Sequence, residues 1–178
     1  MSWLKSKLFG PKKSRDEDLA EKLYAVLVLE GGPSGSADSH IDATALEIPL
    51  GRLERFAQKR LISLEAMMFV AAQIETAERS EKLKAILGDG ALHPFAIEMG
   101  KLIGRKWRER GIEIDNFDVG ERCFDEVEEF LEKPFRWARK WLDEFYDDPE
   151  KSGEHYIMWT DQWLKEFQTM RDMVKNYA

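Results

Sequence analysis

Residues 137–145 read WARKWLDEF and residues 159–167 read WTDQWLKEF, an ungapped repeat at an offset of 22 residues. Both follow the pattern W-x-x-x-W-L-x-E-F. Aromatic residues at i, i+4 and i+8 fall along one side of a helix. The stretch between the copies, Asp147–Gly153 (DDPEKSG), has the composition of a turn. The repeat therefore predicts a helical hairpin over 134–178 whose aromatic stripes face each other or a shared neighbour. Each ring buries on the order of 150–250 Å² in a core, enough to anchor a helix pair without any ligand. The competing expectation makes Trp137, Trp141, Phe145, Trp159, Trp163 and Phe167 an apolar groove for a partner helix or a hydrophobic ligand.

Working back from the hairpin, Pro134 must break or restart a helix. Before it lies an acidic helix with Asp118 and Glu121 at its start, the apolar residues Phe124, Val127 and Leu131, and a run of acids from Glu121 to Glu132. Such a run is ordinarily a solvated face, and it also suits a basic partner or the chain's own basic N-terminal segment. Ile112–Phe117 connects this helix to the preceding one, with mild alternation that leaves a short strand open. His93-Pro94 opens that preceding helix, with His93 as its cap and Pro94 where a missing N–H is harmless. Ala96, Met99, Gly100, Ile103 and Trp107 share one side of it, and Gly111 ends it. Gly100 and Gly104 inside a helix cost about 1 kcal/mol each relative to alanine, which points to close approach of a neighbour.

From Pro49 onward, Leu50, Leu53, Ala57, Leu61, Leu64, Met68, Ala71 and Ile74 step by three or four, with Leu83, Ile86 and Leu87 continuing the pattern. One long helix or two collinear ones are expected. Residues 31–48 lack strong periodicity. Ser14 with Glu17 three residues on is a capping box for a helix carrying Leu19, Ala20, Leu23 and Tyr24. No strand is required anywhere. The expected fold is all-α: an irregular bundle of about six helices, one domain over 16–178, with a basic arm over 1–15.

Composition bounds what this bundle does. Hydrophobic residues at 43% and charged residues at 34% specify a globular chain. Its single cysteine, Cys123, rules out an intrachain disulfide and a thiolate-rich zinc site, and a free thiol suits a reducing cytoplasm. Residues 1–15 hold five cations and no acid; removing that +5 from a whole-chain charge of −7 leaves −12 on the rest. An acidic body repels a phosphate backbone, which disfavours nucleic acid as a partner. Arg52, Arg55 and Lys59 on one helix, with Arg105 and Arg108 on another, are the candidate basic patch for an anion.

No catalytic or metal constellation is legible. His40, His93 and His155 form neither H-E-x-x-H nor the Glu-x-x-His of helical di-iron sites. A calcium loop near Asp115 fails, because Phe117 and Val119 stand where oxygen ligands are needed. Neither cofactor nor metal is expected. The N-terminal arm combines Trp3, Leu4, Leu8 and Phe9 with Lys5 and Lys7, a miniature of a membrane-surface anchor that would bind weakly alone. The leading expectation is a cytoplasmic, non-catalytic helical protein that binds another protein as adaptor, assembly factor, regulator or inhibitor. The alternatives are a helical enzyme or apolar-ligand carrier with a pocket near the aromatic hairpin, and a peripheral protein held at an anionic membrane face by the arm.

Overall fold

A computed structural model describes residues 13–26, 50–87 and 92–177. Among them are six helices and no strand: α1 (Arg15–Tyr24), α2 (Leu50–Leu87), α3 (Pro94–Glu109), α4 (Val119–Glu132), α5 (Pro134–Tyr146) and α6 (Pro149–Tyr177). The protein is an all-α multi-helix bundle. Among the described residues no helix is long and apolar enough to cross a membrane. The N-terminal arm up to Lys12 and the weakly periodic stretch 31–48 lie outside the described residues.

The bundle is built around α2. Ser63 to Ala72 are ten consecutive buried residues, so the middle of this helix is covered on every side, as a helix without a polar face must be. Packed on it are α3, α4 and α6, with α5 against its start; α1 sits mainly on α3. The predicted apolar stripe holds from Leu61 through Ala71 but not at its ends. Ala57 and Ile74 are exposed, and Phe56 turns inward instead. The physical reason is the partner: at that end α2 meets aromatic rings of the hairpin, which a ring fills better than a methyl group.

Local signals account for the helix ends. Ser14 Oγ accepts the Glu17 backbone N–H at 3.1 Å, and His93 Nδ1 accepts that of Phe95 at 3.3 Å. Gly111 ends α3 with φ of +81°, a left-handed conformation that glycine adopts without strain. Ile112–Phe117 is a connection, not a strand. Asp118 stands at the N-cap of α4, yet its side chain makes no cap hydrogen bond; its αR backbone aims the carboxylate elsewhere. Pro134 opens α5, which Lys133 alone separates from α4.

The hairpin turn is shorter than its composition suggests. α6 begins at Pro149, inside the expected turn Asp147–Gly153, so the turn is Asp147-Asp148 alone. Asp147 takes φ of +54°, which aspartate tolerates better than most residues. Asp148 Oδ1 then accepts the Glu150 N–H at 3.0 Å, and Pro149 follows at the first helical position. Asp-Pro here is a helix start. Ser152 is buried in the first turns of α6 and donates to Asp143, tying them back to α5.

Both glycines of α3 face close neighbours. A Cβ on Gly100 would lie 3.0 Å from Phe69 Cε2, and one on Gly104 would lie 2.8 Å from Val119 Cγ2. Their cost to the helix is offset by letting α2 and the start of α4 approach.

Candidate interaction surface

The duplicated motif closes on itself and on α2. Trp137 and Trp163 pack edge to face with centroids 5.0 Å apart, and Trp141 meets Trp163 at 5.5 Å. Phe56 of α2 joins Trp141, Phe145 and Trp159 at 5.3, 4.1 and 5.4 Å, and Phe130 of α4 joins Trp137 and Phe167. All six candidate rings are buried, the most open being Phe167 at 8%. They belong to the core, and Phe145 also lines a surface depression with Phe56, Arg52, Arg55 and Lys59 of α2.

The two copies also share a polar arrangement. Lys59 Nζ lies over Trp141 at 4.9 Å and pairs with Glu144 at 2.5 Å. Its neighbour Arg60 lies over Trp163 at 5.9 Å and pairs with Glu166 at 3.6 Å. Thus the W-L-x-E of each copy meets one of two adjacent cations on α2. Burial separates the copies: Glu144 is exposed, whereas Glu166 is 7% exposed beside Arg60 at 17%.

The candidate basic residues divide between two places. Arg52 reaches the Tyr146 carbonyl and Asp147, and Lys59 reaches Glu144, so both serve the α5–α6 turn; Arg55 donates to the Gly51 carbonyl. On α3, Arg105 pairs with Glu21 of α1, and Arg108 donates to the Ile114 carbonyl. Trp3, Leu4, Lys5, Lys7, Leu8 and Phe9 of the arm lie outside the described residues.

A buried carboxylate went unrecognised in the sequence. Glu65, on the wholly covered part of α2, is fully buried and accepts from Tyr24 Oη at 2.6 Å and Trp107 Nε1 at 2.7 Å, with Arg110 as its counter-ion. One charged residue thereby fastens α1 and the end of α3 to α2. Burial, and then the hydrogen bond to Glu65, push the Tyr24 phenol well above its ordinary value. Burial likewise pushes the Cys123 thiol far up, with Glu65 and Glu126 adding to it. A thiol held protonated in this way is a packing group, not a nucleophile. His93 is engaged in its cap and His155 rests against Tyr146, ring centroids 5.8 Å apart.

The outward face of α4 is the feature the apolar pattern concealed. Of the apolar residues Phe124, Val127 and Leu131 that the sequence places on this helix, only Val127 is buried, together with Val119, Cys123 and Phe130. Phe124 and Leu131 are exposed at 44% and 42%, and Phe117 just before the helix at 93%. Phe124 and Leu131, seven residues apart, lie along one line of the helix surface, and Phe117 stands in the turn that leads into it. Interleaved with them are Glu121, Asp125 and Glu128, all exposed and making no ion pair among the described residues. The other acids of this helix are engaged: Glu126 accepts from Ser63 at 2.6 Å, and Glu129 pairs with Lys140 and Arg136 of α5. Beside the stripe a surface depression is lined by Glu113, Asp115, Asp118, Glu121, Asp125 and Glu126, with Arg122 as the single cation. Arg122 itself stacks over Trp107 at 5.7 Å.

Among the described residues, no group of three or more His, Cys, Asp or Glu is arranged to hold a metal ion. No protein-family model matches this chain, and no solved structure matches it significantly.

Proposed function

We propose that the protein is a non-catalytic interaction module that docks a basic segment of another protein on the outer face of α4. The observation that carries this reading is the alternation of solvent-facing Phe117, Phe124 and Leu131 with the exposed Glu121, Asp125 and Glu128, which make no ion pair among the described residues. A row of large apolar side chains with charged flanks is what a partner helix reads in an i, i+7 register. Aromatic anchors supply most of the affinity in such contacts, and surrounding charges set the partner's sign and the rate of encounter. The sign here is negative, so the partner segment is rich in lysine and arginine.

The same charges argue against a symmetric dimer through this face, since α4 against α4 would oppose acid to acid. The aromatic hairpin, by contrast, spends its rings on the core, and removing one would destabilise the fold. The reading is tested by preparing Phe117→Ser/Phe124→Ser and Glu121→Lys/Glu128→Lys variants of the full chain and comparing their capture of partners with wild type. Both variants are expected to keep the wild-type helix content and to lose the captured basic protein. Capture equal to wild type in both folded variants would refute the reading.

A further inference from the structure

We infer that two copies of the chain associate across the α4–α5 seam, the outer face of α4 in each lying on the outer face of α5 in the other; this rests on the reading of the α4 face as a docking surface and names a competitor for it. Charge divides at Lys133. Residues 113–132 hold nine acids and the single cation Arg122, whereas residues 133–142 hold Lys133, Arg136, Arg139 and Lys140 and no acid. Within one copy the two runs are joined at a seam, where Glu129 of α4 pairs with both Arg136 and Lys140 of α5. Away from that seam, Glu121, Asp125 and Glu128 on α4 and Arg139 on α5 are exposed and make no ion pair among the described residues.

The order of side chains across the surface makes the two faces complementary. At about 100° per residue, α4 presents Phe124, then Glu128 and Asp125, then Glu129 at the seam. Beyond the seam α5 presents Lys140 and Arg136, then Arg139, then Phe135. Contacts fix both outer edges: Phe124 meets Phe69 of α2, and Phe135 meets Tyr156 of α6, each with ring centroids 6.4 Å apart. Phe135 is about as exposed as Phe124. With Arg136, Arg139, Lys140 and Tyr156 it lines a surface depression whose one acid, Asp143, already accepts from Ser152. Because Glu129 pairs with both Arg136 and Lys140, Glu128 falls close to the level of Arg139 along the helices.

A two-fold axis running along the seam therefore sets the acids of each α4 on the cations of the other α5, and Phe124 beside Phe135. Closed two-fold pairs are the commonest assemblies of identical chains. Here α4 meets α5 and never α4, so no acid is set against an acid. Exposed ion pairs are individually weak and screened by salt; the rings supply affinity and the charges set the register. A basic segment from outside then gains the α4 face by displacing α5 of the second copy.

Sedimentation velocity of the full chain over a concentration series tests this. Wild type is expected to pass from monomer to dimer as concentration rises, and to return toward monomer in about 1 M salt. Glu128→Arg and Arg139→Glu, both at exposed positions, should each weaken the dimer about ten-fold or more, since like charges then face each other at two places. Circular dichroism checks that both keep the wild-type helix content. The two changes combined in one chain, or the two single variants mixed in equal amounts, set opposite charges together again and should recover the dimer. Wild type that stays monomeric up to about millimolar concentration, a dimer indifferent to Arg139→Glu, or a charge swap that fails to recover association would overturn the inference. The two readings fail separately. If no Arg139-dependent dimer forms while partner capture still depends on Phe117 and Phe124, the second copy is not the competitor and the docking face stands. If the charge swap recovers the dimer while capture ignores those residues, the face serves a second copy and not an outside partner.

Discussion

Trp137 and Trp163, one from each copy of the repeated motif, meet edge to face at 5.0 Å in the centre of the bundle. The contact joins α5 to α6, and Phe130 and Phe56 extend it to α4 and α2. Replacing a buried Trp by Ala costs about 3–5 kcal/mol, a large share of a marginal total stability. Trp137→Ala and Trp163→Ala should each lower the denaturation midpoint strongly. Because the rings touch, the double variant should lose less than the sum of the two. Urea titrations followed by circular dichroism check this, and additive losses would mean that the rings do not share one cluster.

The equivalent glutamates of the two motif copies should differ. Glu144 is exposed, and exposed pairs contribute about 0–1 kcal/mol. Glu166 is nearly covered beside Arg60, and removing one partner of a buried pair costs about 3–5 kcal/mol. Glu144→Gln should therefore be close to silent and Glu166→Gln clearly destabilising, measured as paired thermal midpoints.

His93 supplies a pH dependence of known sign. Burial, and then the nearby Arg79 charge, hold its pKa below the ordinary histidine value. The folded state therefore binds protons less readily than the unfolded chain, and stability falls as pH drops through the unfolded value near 6.5. Protonation also removes the Nδ1 lone pair that caps α3, an interaction of about 1 kcal/mol. His93→Asn keeps an acceptor and cannot titrate. Wild type should lose more stability than this variant between pH 7.5 and 5.5, and parallel losses would assign the dependence to other groups.

Gly104→Ala sets helix propensity against space. Alanine gains about 1 kcal/mol in propensity, but its Cβ would meet Val119 Cγ2 at 2.8 Å, and overpacking costs about 1–3 kcal/mol. The variant is expected to be less stable, and adding Val119→Ala should recover part of the loss.

How far the fold was legible depends on which residues carried a one-dimensional signal. The hairpin was readable because W-x-x-x-W-L-x-E-F states its own period, and the ends of α1 and α3 because Ser14-Glu17 and His93-Pro94 are local chemistry. The start of α6 was misread because Asp148-Pro149 belongs to both a turn and a helix start, and only tertiary contact, Ser152 on Asp143, distinguishes them. Glu65 gave no signal, since a charge in an apolar run is explained by partners at positions 24, 107 and 110. The α4 face was half legible. Val119, Cys123, Val127 and Phe130 step by four and three, and Phe124 and Leu131 by seven, so two apolar lines coexist on one helix. Sequence alone could not say which line is buried; the fold covers Val119, Cys123, Val127 and Phe130, and leaves Phe124 with an edge contact to Phe69 of α2.

The most direct test of the docking face places a photo-crosslinking amino acid at Phe124 in the full chain, with Ile86 on α2, exposed at 79%, as the control position. After irradiation in the native cell, the account predicts one discrete adduct from position 124, joined to a lysine- and arginine-rich segment and lost when Glu121 and Glu128 are changed to Lys. No adduct at 124, or the same adducts from 124 and 86, would contradict it.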